Sequence, residues 1–177
     1  SAPLDIYTSN ESLVFQAEYI RDGLAWKQWA TNMHLLASSG KLRGLHNMCT
    51  VNALCLETLP EFLSYLIKFK EQYGKDFPSF TLNILRFPSF QSPLALPDNI
   101  RTLHKDRLQE WYDKNADNEL LHEHELNQTQ RLIDYLDVVK TPHSDAFDMP
   151  KLHNDFKQFY SQYDIRRNKN FEKSFPS

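Results

Sequence analysis

The chain has 177 residues, 41% of them hydrophobic and 13% aromatic, a content that excludes intrinsic disorder and suits one packed core. The 20 Lys and Arg residues against 23 Asp and Glu give a formal net charge of -3, which excludes a long-range field that gathers nucleic acid or an anionic membrane. No apolar run approaches the roughly 20 residues that span a bilayer and no secretion signal opens the chain, so a soluble, cytoplasmic setting is expected.

Residues 1–6 read as the tail of a preceding strand. Residues 13–21 have a short helical pattern, and residues 24–38 predict a second helix with Trp26, Trp29, Ala30, Met33 and Ala37 on one face, stopped by Gly40. Residues 45–51 end in strand formers and predict a strand. Thr58-Leu59-Pro60-Glu61 has the spacing of a capping box, in which the Thr oxygen accepts an amide and Glu61 reaches back. From there Leu59, Phe62, Leu63, Leu66, Phe69 and Tyr73 recur at three and four, the mark of a helix with one apolar stripe, and Gly74 ends it. Residues 80–87 predict another strand, closed by Pro88 and followed by a Pro-punctuated loop over residues 89–97. Two strands joined by a helix of this length lie parallel, with the stripe buried on the sheet.

Beyond Pro97 only helical patterns remain: residues 100–115 with Leu108, Trp111 and Tyr112, residues 120–140, and residues 150–166 with Leu152, Phe156, Phe159, Tyr160 and Tyr163. The segment 141–149 separates the last two, with Asp148 as an N-cap and Pro150 in the first turn. Two strands alone leave unpaired edges on both sides, so the sheet needs neighbours from the amino-terminal side. The chain also opens without Met, and Ser1-Ala2-Pro3-Leu4 offers no helix start, so it reads as a fragment. With residues 1–6 as a strand tail, the expected architecture is α/β: half of a partial parallel (β/α) barrel, about three strands over residues 1–97, with a helical extension over residues 98–177 packed on it. Sites in such folds lie at the carboxyl ends of the strands, here placed at residues 1–4, 50–52 and 86–88.

Several constellations read as structural. Cys49 and Cys55 are too few for a disulfide framework or a four-thiolate cluster and read as reduced thiols, at least one of them buried. Only 4 glycines occur and no phosphate-loop pattern is present. His122, Glu123, His124 and Glu125 lack the second Glu-x-x-His that a di-metal helix site needs and read as a solvated helix face. Helical spacing assigns the Trp, Tyr and Phe residues to the core rather than to a nucleic-acid stacking platform. Arg166, Arg167, Lys169 and Lys173 read as a solvated basic tail, and no nucleophile elbow supports a hydrolase.

The three strand ends, the run Glu18-Tyr19-Ile20-Arg21-Asp22-Gly23 with the following Trp26 and Asn32, the run Asn83-Ile84-Leu85-Arg86-Phe87-Pro88, and the terminal Tyr163-Asp164-x-Arg166-Arg167 with Phe171 and Phe175-Pro176 carry a resemblance. Together they resemble the carboxyl-terminal half of a radical S-adenosylmethionine enzyme of the phage and marine bacterial type with a twitch or SPASM element. The resemblance implies a site in which Ser1, at the family's Ser-Ile-Asp-Gly position, approaches the cofactor ribose. It implies that Arg21 pairs with the methionyl carboxylate, and that Thr50, Asn52, Leu85 and Pro88 line the adenine and substrate space. A guanidinium fork suits a carboxylate, and such a charge-assisted hydrogen bond contributes roughly 1.5–3 kcal/mol. Without the resemblance, Arg21 reads equally well as a surface residue paired with Glu18 or Asp22.

The resemblance further implies reductive cleavage of S-adenosylmethionine to a 5′-deoxyadenosyl radical that abstracts hydrogen from a peptide or another substrate. The 4Fe-4S cluster for that step takes its three cysteines from a loop absent from this chain, so the expected partner is the amino-terminal half of the same enzyme, and this piece alone is expected to be inactive. From a different class, the aromatic carboxyl-terminal helices also fit a non-catalytic helical module that binds a protein partner.

Overall fold

The computed structural model describes residues 4–138 and 148–176. Ser1 and most of the expected break at 141–149 lie outside these residues. Three strands, β1 (Leu4–Ser9), β2 (Leu42–Val51) and β3 (Ser79–Ile84), form one sheet in the order β1-β2-β3, parallel throughout. Helices α1 (Val14–Ile20) and α2 (Trp26–Ser38) connect β1 to β2, and α3 (Leu59–Tyr73) connects β2 to β3. After β3 come α4 (Asp98–Asn115), α5 (Glu123–Leu136), α6 (Met149–Arg167) and the short α7 (Phe171–Ser174). The fold is therefore α/β. Among the described residues no helix is long and apolar enough to cross a membrane.

The alternation of side chains along a strand divides the sheet into two unlike faces. On one face Leu45, Cys49, Val51, Phe80 and Leu82 are buried in a single core with Phe62, Leu63 and Leu66 of α3, Leu108 and Trp111 of α4, and Leu132 and Ile133 of α5. Each such large side chain removed from water contributes about 1.5–3 kcal/mol, so the α3 stripe foreseen in the sequence is a main source of stability. On the other face stand Tyr7, His46, Met48, Thr50, Thr81 and Asn83, polar for the most part, with Tyr7 65% and Met48 40% exposed. Parallel sheets are normally covered on both sides. Among the described residues the apolar side is covered along its length, while most of the polar side is open.

That open face carries a small network at the amino ends of the strands. His46 Nδ1 and Ser79 Oγ share a hydrogen bond of 2.5 Å, His46 Nε2 lies 3.5 Å from Asp5, Asp5 pairs with Arg43, and Tyr7 stacks on the imidazole at 4.7 Å. Gly44 makes room for it, because a Cβ there would stand 2.8 Å from His46 Nε2 and 3.0 Å from Asp5 Oδ1.

The two edges of the sheet also differ. The Asn10 amide donates to Met48 O at 3.2 Å, so the even positions of β1 face β2 and the amides of Asp5, Tyr7 and Ser9 point outward, where nothing among the described residues pairs with them. The β3 edge, expected to be open, is closed by a helix. Glu125 Oε1 accepts the Phe80 amide at 2.9 Å and Gln128 Oε1 the Leu82 amide at 2.6 Å, so side chains one turn apart on α5 stand in for a neighbouring strand. Lys70 Nζ, fully buried in α3, meets the same Glu125 oxygen at 2.9 Å and holds the lock shut.

Several local expectations change. The capping box at Thr58 does not form: Thr58 Oγ1 is hydrogen-bonded to Ser12 Oγ at 2.6 Å, and Glu61 pairs with Arg107 at 2.6 Å. The box geometry appears at α5 instead, where Glu125 Oε2 accepts the His122 amide at 2.9 Å. Glu125 is thus buried rather than solvated, because it has three hydrogen-bond donors to satisfy it. Asp148 caps α6 as foreseen, accepting the Lys151 amide at 3.2 Å. The first strand lies later than expected, so its carboxyl end is Ser9 and not residues 1–4.

Candidate functional site

Beyond Ser9 the chain turns sharply. Asn10 Oδ1 accepts the amides of Glu11 at 2.9 Å and Ser12 at 3.3 Å, a side-chain turn of the kind Asn favours, and this points Glu11 across the rim of the sheet. There Arg21, at the carboxyl terminus of α1, directs both Nε and Nη2 to Glu11 Oε2 at 2.8 Å. The Glu11 side chain is 3% exposed and the Arg21 side chain 29%. Burial pushes the Glu11 carboxyl above its ordinary range, opposed by the Arg21 charge and by a hydrogen bond from the Thr50 backbone.

The ends of β2 and β3 complete the rim. Asn52 Oδ1 accepts the amides of Leu54 and Cys55, each at 3.0 Å, while its Nδ2 donates to Thr50 O at 3.1 Å. The Asn52 amide is therefore committed to the turn into a short 3-10 helix at Cys55–Glu57. The Leu85 amide donates to Val51 O at 2.8 Å, which extends the ladder one residue past β3 and sets Leu85 on the same rim.

Glu11, Ile20, Arg21, Thr50, Asn52 and Leu85 line one side of a cavity of about 330 Å³; Gln91 and, from α6, Phe159, Tyr160 and Tyr163 line the other. Its sheet side is largely polar and its α6 side aromatic. Of the residues the sequence assigned to a site, Arg21, Thr50, Asn52 and Leu85 come together here. Pro88 does not: it lines a separate groove with Phe87, Phe90 and Asp148, because β3 ends three residues before the expected position. A larger groove of about 540 Å³ lies between α3 and α4, away from the strand ends; of its charged lining residues Arg107 pairs with Glu61 and Lys114 with Glu110, and Lys68 completes them. The strand-end cavity is the better candidate, since it lies at the carboxyl ends of the parallel strands, where sites in such sheets gather.

Arg21 has neither of the partners first considered for it. Glu18 accepts the Trp26 amide at 2.9 Å, and Asp22 binds Arg167 at 2.8 Å and Lys169 at 3.2 Å. The basic tail is thus partly engaged rather than solvated. Glu11, Gln91, Tyr160 and Tyr163 were missed. The acid directly after a strand was the one readable signal among them, and it was hidden by placing the strand too early.

Cys49 and Cys55 are both fully buried, and desolvation pushes their thiols well up, so neither is placed to offer an exposed thiolate. Among the described residues no three His, Cys, Asp or Glu side chains are grouped as metal ligands. Phe156, Tyr160 and Tyr163 of α6, with Phe171 and Phe175, turn inward and pack around Tyr19 and Leu54, while Phe159 is exposed. No protein-family model matches the chain, and no curated protein and no solved structure is significantly similar to it.

Proposed function

We propose that the chain is the carboxyl-terminal half of a radical S-adenosylmethionine enzyme, and that the strand-end cavity is its side of the cofactor and substrate site. The observation that carries this reading is the meeting of Arg21, Thr50, Asn52 and Leu85, named from the resemblance, around one cavity at the carboxyl ends of parallel strands. The sheet lends it further support. The outward amides of Asp5, Tyr7 and Ser9 suit a further parallel strand from the amino-terminal half.

The residues fit S-adenosylmethionine in part. Arg21 keeps N–H groups free beyond those bound by Glu11, so it can receive a carboxylate while Glu11 orients it. Ser1 lies outside the described residues, and Ser9, at the carboxyl end of β1, is not among the residues that line the cavity. Asn52 shapes the rim through its turn, and Leu85 gives an apolar wall. No residue here fits a 4Fe-4S cluster, since both thiols are sealed in the core, and its ligands belong on the amino-terminal half. When bound at such a cluster and reduced, the cofactor supplies a 5′-deoxyadenosyl radical for hydrogen abstraction from a peptide or another substrate.

The test is to express the chain with its upstream coding sequence, reconstitute it anaerobically and look for 5′-deoxyadenosine. Arg21→Ala should weaken cofactor binding at least about tenfold, the loss of one charge-assisted pair. Absence of 5′-deoxyadenosine under reducing conditions, or an upstream sequence without a cysteine triplet, would remove the proposal.

A further inference from the structure

The helix that carries Arg21 is poorly equipped to hold it. α1 has seven residues and no side-chain cap at its amino end, and a helix of two turns does not persist by itself. Its buried side chains are Ala17 and Tyr19. The Tyr19 ring is surrounded by rings from the far end of the chain, with centroids at 5.4 Å to Tyr163 and Phe175, 5.9 Å to Phe171 and 6.1 Å to Tyr160. Its hydroxyl donates to Asp164 Oδ1 at 2.8 Å, and its carbonyl accepts from Tyr163 Oη at 2.8 Å and from Lys169 Nζ at 3.2 Å. Asp164 also accepts the Phe171 amide at 2.9 Å through its other oxygen, which fixes the turn between α6 and α7. Asn168 takes that turn in the left-handed region, with φ at 51°.

We infer that Asp164 is a positioning residue for the strand-end site. It clamps Tyr19, two residues before Arg21, and so fixes the base of the guanidinium side chain while Glu11 fixes its tip. The inference rests on the reading of Arg21 as the carboxylate-binding group. Burial and the neighbouring carboxylate hold the Tyr19 phenol in its protonated, donating form. Tyr160 and Tyr163, which pack on Tyr19, also line the cavity, so the segment that secures α1 closes the site at the same time. The terminal run Tyr163-Asp164-x-Arg166-Arg167 with Phe171 and Phe175 thereby gains a purpose: it is a strap across α1.

The experiment compares Asp164→Ala, Asp164→Asn and Tyr19→Phe in the complete polypeptide. It uses hydrogen exchange at the amides of residues 17–21 and calorimetry with S-adenosylmethionine as probe. Asp164→Ala removes the hydrogen bonds from both Tyr19 and the Phe171 amide and should speed exchange at residues 17–21 and weaken the probe's binding, each by at least about tenfold, with the amides of β2 unchanged. Asp164→Asn keeps one acceptor oxygen, enough for Tyr19 or for the Phe171 amide but not both, and should recover part of each loss. Unchanged exchange at residues 17–21 overturns the inference. So does faster exchange with unaltered binding, since the strap would then be scaffold alone. If the unmodified polypeptide does not bind the probe, the cofactor reading fails and the inference, which rests on it, falls with it, a result distinct from probe binding that Asp164→Ala leaves unaltered. Should Asp164→Ala not fold, Tyr19→Phe, which removes only the hydroxyl, decides by the same two measurements.

Discussion

Glu125→Ala strikes the lock on the β3 edge. The carboxylate accepts from Lys70 Nζ, the Phe80 amide and the His122 amide, each at 2.9 Å, and both charged side chains are fully buried. Removing one partner strands the Lys70 ammonium in the core, where its remaining acceptor is Lys75 O at 2.7 Å. Breaking a buried pair in this way costs about 3–5 kcal/mol, a large share of the roughly 5–15 kcal/mol that holds a domain together. With a urea dependence of about 2 kcal/mol per molar, the unfolding midpoint should fall by on the order of 2 M. The double variant Lys70→Met with Glu125→Gln removes both charges and keeps an acceptor for Phe80, so it should lose less than Glu125→Ala. The freed Phe80 amide on the β3 edge should also promote self-association, which light scattering would detect. A midpoint lowered by less than about 0.5 M in Glu125→Ala would show that α5 does not secure this edge.

Gly44→Ala places a Cβ against His46 and Asp5, both of which can swing aside, so it should cost about 1 kcal/mol in thermal stability and release His46 from Ser79, visible as a change in the imidazole resonances. For Glu11 the sign follows from its raised pKa: between its ordinary value of 4.5 and the raised value, the folded chain keeps a proton that the unfolded chain has lost. Stability from this group therefore falls as pH rises through that window, and Glu11→Gln should flatten the slope of unfolding free energy measured from about pH 4 to 7; parallel curves for the two proteins would contradict the burial argument.

What could be read from the sequence was whatever repeats locally. The α3 stripe, the strands at β2 and β3, their parallel arrangement and the Asp148 cap all follow from periodicity or from neighbours within a few residues. β1 was misplaced because it is an edge strand with an exposed side: Asp5, Tyr7 and Ser9 dilute its apolar signal, and only pairing with β2 fixes its limits. Thr58 and Glu61 have the right spacing for a capping box, yet Ser12 and Arg107 offer each a better partner from elsewhere in the chain.

The candidate site divides along the same line. Arg21, Thr50, Asn52 and Leu85 were named through the resemblance, and of these Thr50 and Asn52 also stand at a strand end that the sequence locates. The residues that give the site its charge state and its far wall were not, since each acts across a long stretch of chain. Glu11 is silent until the end of β1 is known, and Tyr160 and Tyr163 reach the rim only because the Asp164 turn folds α6 and α7 back over α1. A buried acid such as Glu125 is the extreme case. Taken alone it belongs in water, and only its hydrogen bonds to Lys70 and Phe80, 55 and 45 positions away, make its burial favourable. Periodicity therefore recovers the frame of this fold, while the groups that close the sheet edge and orient the guanidinium depend on pairings that no local pattern encodes.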